Sequence, residues 1–207
     1  MQTNDLQGRP VLIYLHGFLS SPQSFKCQLM RERLQAQYPH VTFCAPQIPP
    51  YTEEAQKSLV ALVEDLLRQS DRGPIGLVGS SMGGFWCTYL GERFRLPAVL
   101  INPAVRPARF IPAYVGKVLK PYSGEEEEFR LTQVDVDAMQ RVQAELEKPL
   151  QSRYWLLAQR GDEVLDYRDA QDFYQGQRQT IEDGGDHSFQ EFARYCDPIT
   201  EFLFNEQ

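Results

Sequence analysis

Cysteine is scarce in this sequence of 207 residues, and the four cysteines stand far apart, at Cys27, Cys44, Cys87 and Cys196. No Cys-x-x-Cys pair occurs, so the spacing supports neither a zinc site nor a disulfide framework. Residues 1–5 lack the basic and apolar regions of a secretion signal. We therefore expect reduced thiols and a cytoplasmic location.

Long apolar runs and an excess of positive charge are also missing. No segment approaches the roughly 18 apolar residues that a membrane-spanning helix needs. The formal net charge of -7 argues against nucleic acid as a partner, because phosphate binding needs a basic surface. A chain of this length and composition is expected to form a single domain over residues 1–207.

Short apolar runs alternate with helical patterns along most of the chain. Six of these runs predict strands, at residues 11–15, 41–44, 75–78, 98–101, 154–158 and 179–182. Nearly continuous apolar character is typical of parallel strands that are covered on both faces. Helices are expected from Ser21, over 53–68, 82–94 and 166–174, and from Ser188, where a capping box begins. The alternation predicts an α/β fold, a three-layer α/β/α sandwich with about six mostly parallel strands.

The segment from about 104 to 150 interrupts this alternation. It contains no convincing strand, and it is too long for a simple connection in a compact domain. A helical stretch covers 136–146, and the four glutamates at 125–128 are expected to be solvated. We expect this insertion to form a small helical lid over the edge of the sheet.

The pentapeptide Gly79-Ser80-Ser81-Met82-Gly83 stands between a predicted strand and a predicted helix. A Gly-x-Ser-x-Gly in this position is the pattern of the nucleophile elbow of α/β-hydrolases. So sharp a turn strains the serine backbone and leaves no room for side chains at the two glycines. The pattern predicts Ser81 as a nucleophile, with the backbone N–H of Met82 directed at the substrate oxygen.

A serine hydroxyl needs a base within hydrogen-bond reach, and the chain has three histidines. His40 stands just before a strand, where a surface position is expected. His187 follows the last strand, at the sheet edge where ligands bind, and is the predicted base. An ordinary position at the start of the last helix is its alternative, and a metal cluster with nearby aspartates has little support from the spacing.

The first strand ends at His16, in a loop from which the second oxyanion donor of this fold normally comes. The backbone N–H of Phe18 is expected to join that of Met82, so that both stabilise the charge of the transition state. His16 is expected to shape this loop.

The base needs an acid that fixes its tautomer and stabilises the imidazolium. Asp162 follows the fifth strand in a Gly-Asp step and is the predicted acid, with Asp166 as its competitor and Glu163 as a weaker one. The order Ser81, Asp162, His187 along the chain is the order of α/β-hydrolases.

With these residues the sequence resembles the YqiA-like esterase group of the α/β-hydrolase superfamily, over nearly the whole chain. The resemblance rests on Tyr14-Leu15-His16-Gly17-Phe18 with Ser20-Ser21-Pro22-Gln23-Ser24-Phe25-Lys26, Gly79-Ser80-Ser81-Met82-Gly83-Gly84-Phe85, Asn102-Pro103-Ala104-Val105-Arg106-Pro107, Gly161-Asp162-Glu163-Val164-Leu165 and Gly184-Gly185-Asp186-His187-Ser188-Phe189. It implies a compact hydrolase with esterase or acyl-CoA thioesterase activity. It also implies Ser81 as nucleophile, His187 as base and Asp162 as acid.

The expected reaction is hydrolysis of a carboxylic ester or an acyl-CoA thioester through an acyl-enzyme, which needs no metal or organic cofactor. Candidates for an apolar acyl pocket, each with core packing as the alternative, are Phe18, Phe85, Trp86, Phe110, Ile111 and Tyr114. Arg106 and Arg109 are candidates for contact with a CoA phosphate. A ligand-binding protein on a hydrolase scaffold and a serine peptidase are the alternative functions.

Overall fold

The computed structural model describes residues 8–69, 73–122, 128–146 and 149–205. Its strands are β1 (Val11–Leu15), β2 (Thr42–Cys44), β3 (Ile75–Ser80), β4 (Ala98–Ile101), β5 (Tyr154–Gln159) and β6 (Arg178–Glu182). They form one sheet in the order β2-β1-β3-β4-β5-β6, and every neighbouring pair is parallel. The predicted parallel sheet is confirmed, and the strand limits are close to those expected.

The helices are α1 (Phe25–Gln37), α2 (Thr52–Arg68), α3 (Met82–Phe94), α4 (Gln133–Ala144), α5 (Tyr167–Phe173) and α6 (Cys196–Phe204). Short 3-10 helices cover Pro107–Arg109, Ile111–Tyr114 and Phe192–Tyr195. Within the described residues, no helix combines the length and the apolar composition that crossing a membrane requires.

The sheet is covered on both faces, because successive side chains of a strand point to opposite sides. In β1, Ile13 packs in a cluster with residues of α2, α3 and α4, whereas Leu12 packs in a second cluster with residues of α1 and α6. Both side chains are fully buried. The molecule is therefore the three-layer α/β sandwich that the apolar runs predicted.

Two predicted helix starts are wrong. The first helix begins at Phe25, because the Ser21 hydroxyl accepts the backbone N–H of Gln23 in a turn that precedes the helix. No helix begins at Ser188, because Phe189 and Glu191 have φ angles of 61° and 57°, which interrupt a right-handed helix. The last helix starts at Cys196, after a short 3-10 helix.

Residues 102–153 connect β4 to β5 and are called the β4–β5 segment below. Its described part contains two 3-10 helices, α4 and two isolated bridges, Val115 with Leu131 and Leu119 with Phe129, but no strand. The capping box of Thr132 and Asp135 starts α4, which packs against α2. Most of the glutamate run, at 125–127, lies outside the described residues, and Glu128 is exposed.

The chain reverses its direction of winding at β1. It leaves β1 for β2 on one side and then crosses to β3 on the other side of β1. In open α/β sheets, a crevice for ligands forms outside the carboxyl ends of the strands at such a switch point. The loops that follow β1 and β3 therefore lie where a site is expected.

Candidate active site

Ser81 stands in the tight turn between β3 and α3, with a φ angle of 55°. This conformation is costly for a residue other than glycine and is typical of functional turns. A Cβ on Gly79 would overlap the Gly83 carbonyl, and a Cβ on Gly83 would overlap the carbonyl of Leu15. The two glycines thus allow the close approach that leaves the Ser81 hydroxyl at the carboxyl edge of the sheet.

The structure brings Ser81, His187 and Asp162 together from three different loops. The His187 Nε2 lies 3.1 Å from the Ser81 Oγ. Its Nδ1 lies 2.9 Å from Oδ2 and 3.0 Å from Oδ1 of Asp162, whose side chain is 3% exposed. With the proton on Nδ1, the imidazole donates to the carboxylate and its Nε2 is free to accept the serine proton.

The three acidic candidates have different partners. Asp162 contacts the imidazole, and its Oδ1 also accepts the backbone N–H groups of Val164 and Leu165, each at 2.9 Å. Glu163 accepts the backbone N–H of His187 at 3.1 Å. The exposed Asp166 caps α5 and accepts the backbone N–H of Arg168. Its side chain is thereby committed to the helix start.

The loop after β1 lies against the serine turn. A Cβ on Gly17 would lie 3.4 Å from the Ser81 Cβ, which is ordinary contact distance. Phe18 and Met82 both line the cavity that contains Ser81. Their backbone N–H groups have no acceptor among the described residues. Two unpaired donors beside a nucleophile are what an oxyanion hole requires.

His16 is buried beneath this loop. Its Nε2 accepts the backbone N–H of Ile48 at 3.1 Å, and its Nδ1 donates to the Gly17 carbonyl at 2.9 Å. Burial lowers the pKa of His16, which favours the neutral imidazole that these two hydrogen bonds need. His40 is exposed and precedes β2, at the opposite end of the strands.

Two cavities meet at the loop after β1. The outer cavity, of about 460 Å³, is lined by Ser81 and His187 and by Phe110 and Tyr114 of the β4–β5 segment. The inner cavity, of about 50 Å³, is apolar along most of its wall and is lined by Trp86, Ile111 and Met139, among others. Phe18 and Met82 line both cavities, so the two residues that the sequence predicts as oxyanion donors lie at the junction.

Phe85 does not line either cavity, in contrast to the expectation from the sequence. It is 1% exposed and packs in the core cluster of α3, edge to face with Trp86. Phe110 and Tyr114 line the outer cavity together with Ser81, and Tyr114 packs edge to face with Phe18.

Two buried amides that sequence reasoning did not assign to the site hold the His187 loop. The Asn102 side chain donates to the carbonyls of Asp186 and His187, at 2.9 and 3.2 Å, and accepts the backbone N–H of Gln159. The Gln159 side chain accepts the backbone N–H groups of Asp186 and Gln190. Their positions could have indicated this role, since Gln159 is a polar residue at the end of buried strand β5 and Asn102 directly follows buried strand β4.

Lys26 of α1 is a charged residue of the outer cavity, whereas Arg106 and Arg109 belong to the β4–β5 segment and Asp169 belongs to α5. Lys26 lines the outer cavity and donates to the Ser188 carbonyl at 2.7 Å. Burial lowers its pKa to about 8, although Asp186 and Asp162 act in the opposite direction. Arg106 and Arg109 both lie near Asp169, at 3.7 and 3.9 Å, so the two guanidinium groups share one acidic partner.

No group of three or more histidine, cysteine or carboxylate side chains among the described residues has the arrangement of a metal site. The contacts instead form one chain, from the Asp162 carboxylate through the His187 imidazole to the Ser81 hydroxyl. Such a chain can move a proton away from an attacking serine, next to two N–H groups that can hold an oxyanion.

Residues 11–204 match the model of an uncharacterised protein family, UPF0227. The match covers nearly all of the chain and includes every residue of the candidate site.

Solved structures with the same fold include several esterases and hydrolases. Est1E from Butyrivibrio proteoclasticus, solved with ferulic acid bound, is 14% identical, with a TM-score of 0.72 over 98% of this chain and 91% of that chain. A putative hydrolase from Agrobacterium vitis S4 is 16% identical, with a TM-score of 0.73 over 94% and 88% of the two chains. The esterase Pf2001 from Pyrococcus furiosus is 16% identical, with a TM-score of 0.64 over 96% and 82%. At these identities the likeness shows an α/β-hydrolase fold.

Proposed function

Because the chain belongs to the UPF0227 family, the YqiA-like esterases that its motifs resemble, we propose that it is a serine hydrolase that cleaves carboxylic esters or acyl-CoA thioesters. The observation that carries this proposal is the contact of the His187 Nε2 with the Ser81 Oγ at 3.1 Å, backed by Asp162 on the other nitrogen. The esterases among the solved structures of this fold support the same reaction class.

The proposed reaction has two steps. His187 takes the proton of Ser81 as the Oγ attacks the acyl carbonyl, and the backbone N–H groups of Phe18 and Met82 stabilise the oxyanion. His187 then protonates the leaving oxygen or sulfur, whose bond to the acyl carbon breaks. A water molecule, deprotonated by His187, attacks the acyl-enzyme, and Ser81 recovers its proton as the acid leaves.

The two cavities suggest where each half of the substrate binds. The leaving group must come within hydrogen-bond reach of the His187 Nε2, and His187 lines the outer cavity. The leaving alcohol or thiol is therefore assigned to the outer cavity and the acyl chain to the apolar inner cavity, beyond the oxyanion donors. The β4–β5 segment contributes Ile111 and Met139 to the inner cavity and acts as the proposed lid.

Covalent labelling with a fluorophosphonate, combined with a panel of acyl esters, acyl-CoAs and chromogenic peptides, tests the proposal. We expect labelling and ester or thioester hydrolysis, both abolished in Ser81→Ala and both retained in Ser58→Ala, which changes an exposed serine of α2. A folded protein that the probe does not label would support a ligand-binding scaffold. Cleavage of peptides without cleavage of esters would support a peptidase.

The cytoplasm is the proposed location. All four cysteines are free in the structure, as thiols are in a reducing compartment. Cell fractionation of the untagged protein tests this assignment.

A further inference from the structure

The outer cavity has polar lining residues that the proposed reaction does not use. Tyr14 of β1 and Lys26 of α1 line it together with Ser81 and His187. Tyr14 belongs to the core cluster beneath α1 and α6, whereas the apolar lining of the inner cavity comes from the opposite face of the sheet. The outer cavity therefore has donors of its own, apart from the oxyanion N–H groups.

Lys26 has more hydrogen-bonding capacity than the protein satisfies. Its ammonium has three N–H donors, and one hydrogen bond is found, to the Ser188 carbonyl. No described carboxylate forms an ion pair with it. Burial lowers its pKa to about 8, while the carboxylates of Asp186 and Asp162 act in the opposite direction. A partly desolvated cation without an ion-pair partner is costly, and an anion in the cavity would relieve this cost.

Tyr14 supplies a second unsatisfied group. Its hydroxyl is buried and has no hydrogen-bond partner among the described residues. Buried hydroxyls are normally paired, so an orphaned one in a cavity wall is unusual. Burial raises the pKa of Tyr14 well above its usual value, which keeps the hydroxyl protonated and able to donate. Tyr14 and Lys26 line the same cavity, and a neutral donor together with a cation is suited to an oxygen anion.

We propose that Lys26 and Tyr14 form an anion subsite for the leaving group, so that the substrate is an ester whose alcohol portion carries a carboxylate or a phosphate. This inference rests on the proposed hydrolase function, and it specifies that the leaving-group portion of the substrate carries a negative charge. The leaving group is the portion concerned because Lys26 and Ser188 line the same cavity as His187, which protonates the leaving oxygen. Hydrolysis would release the carboxylic acid of the acyl portion together with an alcohol that carries the anionic group.

Matched aryl esters test the subsite. We would compare kcat/KM for 3-acetoxybenzoate and 3-acetoxyphenyl phosphate with kcat/KM for the neutral methyl 3-acetoxybenzoate. We expect the wild type to favour at least one anionic ester, and the two anionic esters distinguish carboxylate from phosphate. In Lys26→Met the anionic-to-neutral ratio should fall by about tenfold or more, since hydrogen bonds to charged groups are worth that much. In Tyr14→Phe the ratio should fall by about two- to tenfold.

Controls separate this inference from the function on which it rests. Lys57→Met removes an exposed lysine of α2 and should leave the ratio unchanged. Because Lys26 also contacts the His187 loop, the ratio, rather than either rate alone, is the measurement. Equal kcat/KM for all three esters, or a ratio that Lys26→Met does not change, would overturn the subsite while the hydrolase stands. Absence of both hydrolysis and fluorophosphonate labelling would overturn the hydrolase proposal itself.

The wild type gives an independent measurement through pH. The carboxylates of Asp162 and Asp186 act on Lys26 and raise its pKa, and the other titratable residues that line the same cavity are His16, Tyr14, Tyr114, Tyr122 and His187. Above about pH 8 the ammonium loses its proton, so KM for the anionic ester should rise between pH 7 and 9.5 relative to KM for the neutral ester. Profiles that remain parallel for the two esters over this range would contradict an ammonium in the subsite.

Discussion

Asp162 and Asp166 stand four residues apart after the same strand, and their hydrogen bonds separate them. Asp162 accepts from His187 and from two backbone N–H groups, whereas Asp166 caps α5. The Gly-Asp step favoured Asp162 because it lies closer to the strand end. The sequence could not exclude Asp166, since the start of α5 decides which carboxylate turns toward the imidazole.

Asp162→Asn should lower kcat by about 10⁴-fold with little change in the fold, because an amide favours the wrong imidazole tautomer. Steady-state kinetics with a short-chain p-nitrophenyl ester measures this loss. Asp166→Asn is the matched control, since asparagine also caps helices well, and it should keep near-wild-type kcat. Equal losses in the two variants would contradict the assignment of the acid.

The aromatic residues show why the lining of the cavities was harder to predict than the turn at Ser81. Every residue of α3 from Met82 to Gly91 is buried, so position along this helix does not distinguish a core ring from a cavity ring. Phe85 faces the core, and Trp86, the next residue, lines the inner cavity. The tight turn at Ser81 was predictable because it depends on local sterics at Gly79 and Gly83.

At the scale of elements, His187 lies in an irregular loop after β6 and not at the start of a helix. Ser188 begins a pattern that favours a capping box, but the buried amides of Asn102 and Gln159 bind the loop backbone instead. These contacts join residues more than 25 positions apart along the sequence. A local sequence pattern does not contain information about such distant contacts, so the predicted helix start at Ser188 was wrong.

Removal of the Asn102 side chain should lower kcat on the order of 100-fold while KM changes little, because a misplaced imidazole loses its alignment with Ser81. Asn102 has a φ angle of 40°, so Asn102→Ala also strains the backbone, and Asn102→Gly removes the side chain without that strain. Kinetics of both variants, with Asn205→Ala at the exposed end of α6 as control, tests this. Wild-type kcat in Asn102→Gly would show that the loop holds His187 by itself.

At the scale of the whole molecule, strand positions were easy to predict and strand order was not. Buried strands of a parallel sheet are apolar on both faces, so each run stands out in the sequence, whereas neighbours depend on long-range pairing. The order β2-β1-β3 places the loops after β1 and β3 side by side. The candidate site follows from that order, because it brings the Phe18 and Met82 N–H groups to the same cavity.

The packing of the β4–β5 segment on α2 sets the size of the inner cavity, which is the proposed site of the acyl chain. An apolar cavity of about 150 Å³ holds benzene, and the inner cavity measures about 50 Å³. Acetyl and propanoyl esters should therefore give higher kcat/KM than octanoyl esters. Met139 is buried on α4 and lines this cavity, so Met139→Ala should shift the preference toward longer chains.

A series of p-nitrophenyl esters of increasing acyl length measures this shift. Val134→Ala, at an exposed position of the same helix, should keep the wild-type preference. Met139→Ala is expected to cost about 2–5 kcal/mol of stability, so its folding is checked by circular dichroism at the assay temperature. If folded Met139→Ala keeps the wild-type preference, the acyl chain does not bind between α4 and the loop after β1, and it must share the outer cavity with the leaving group.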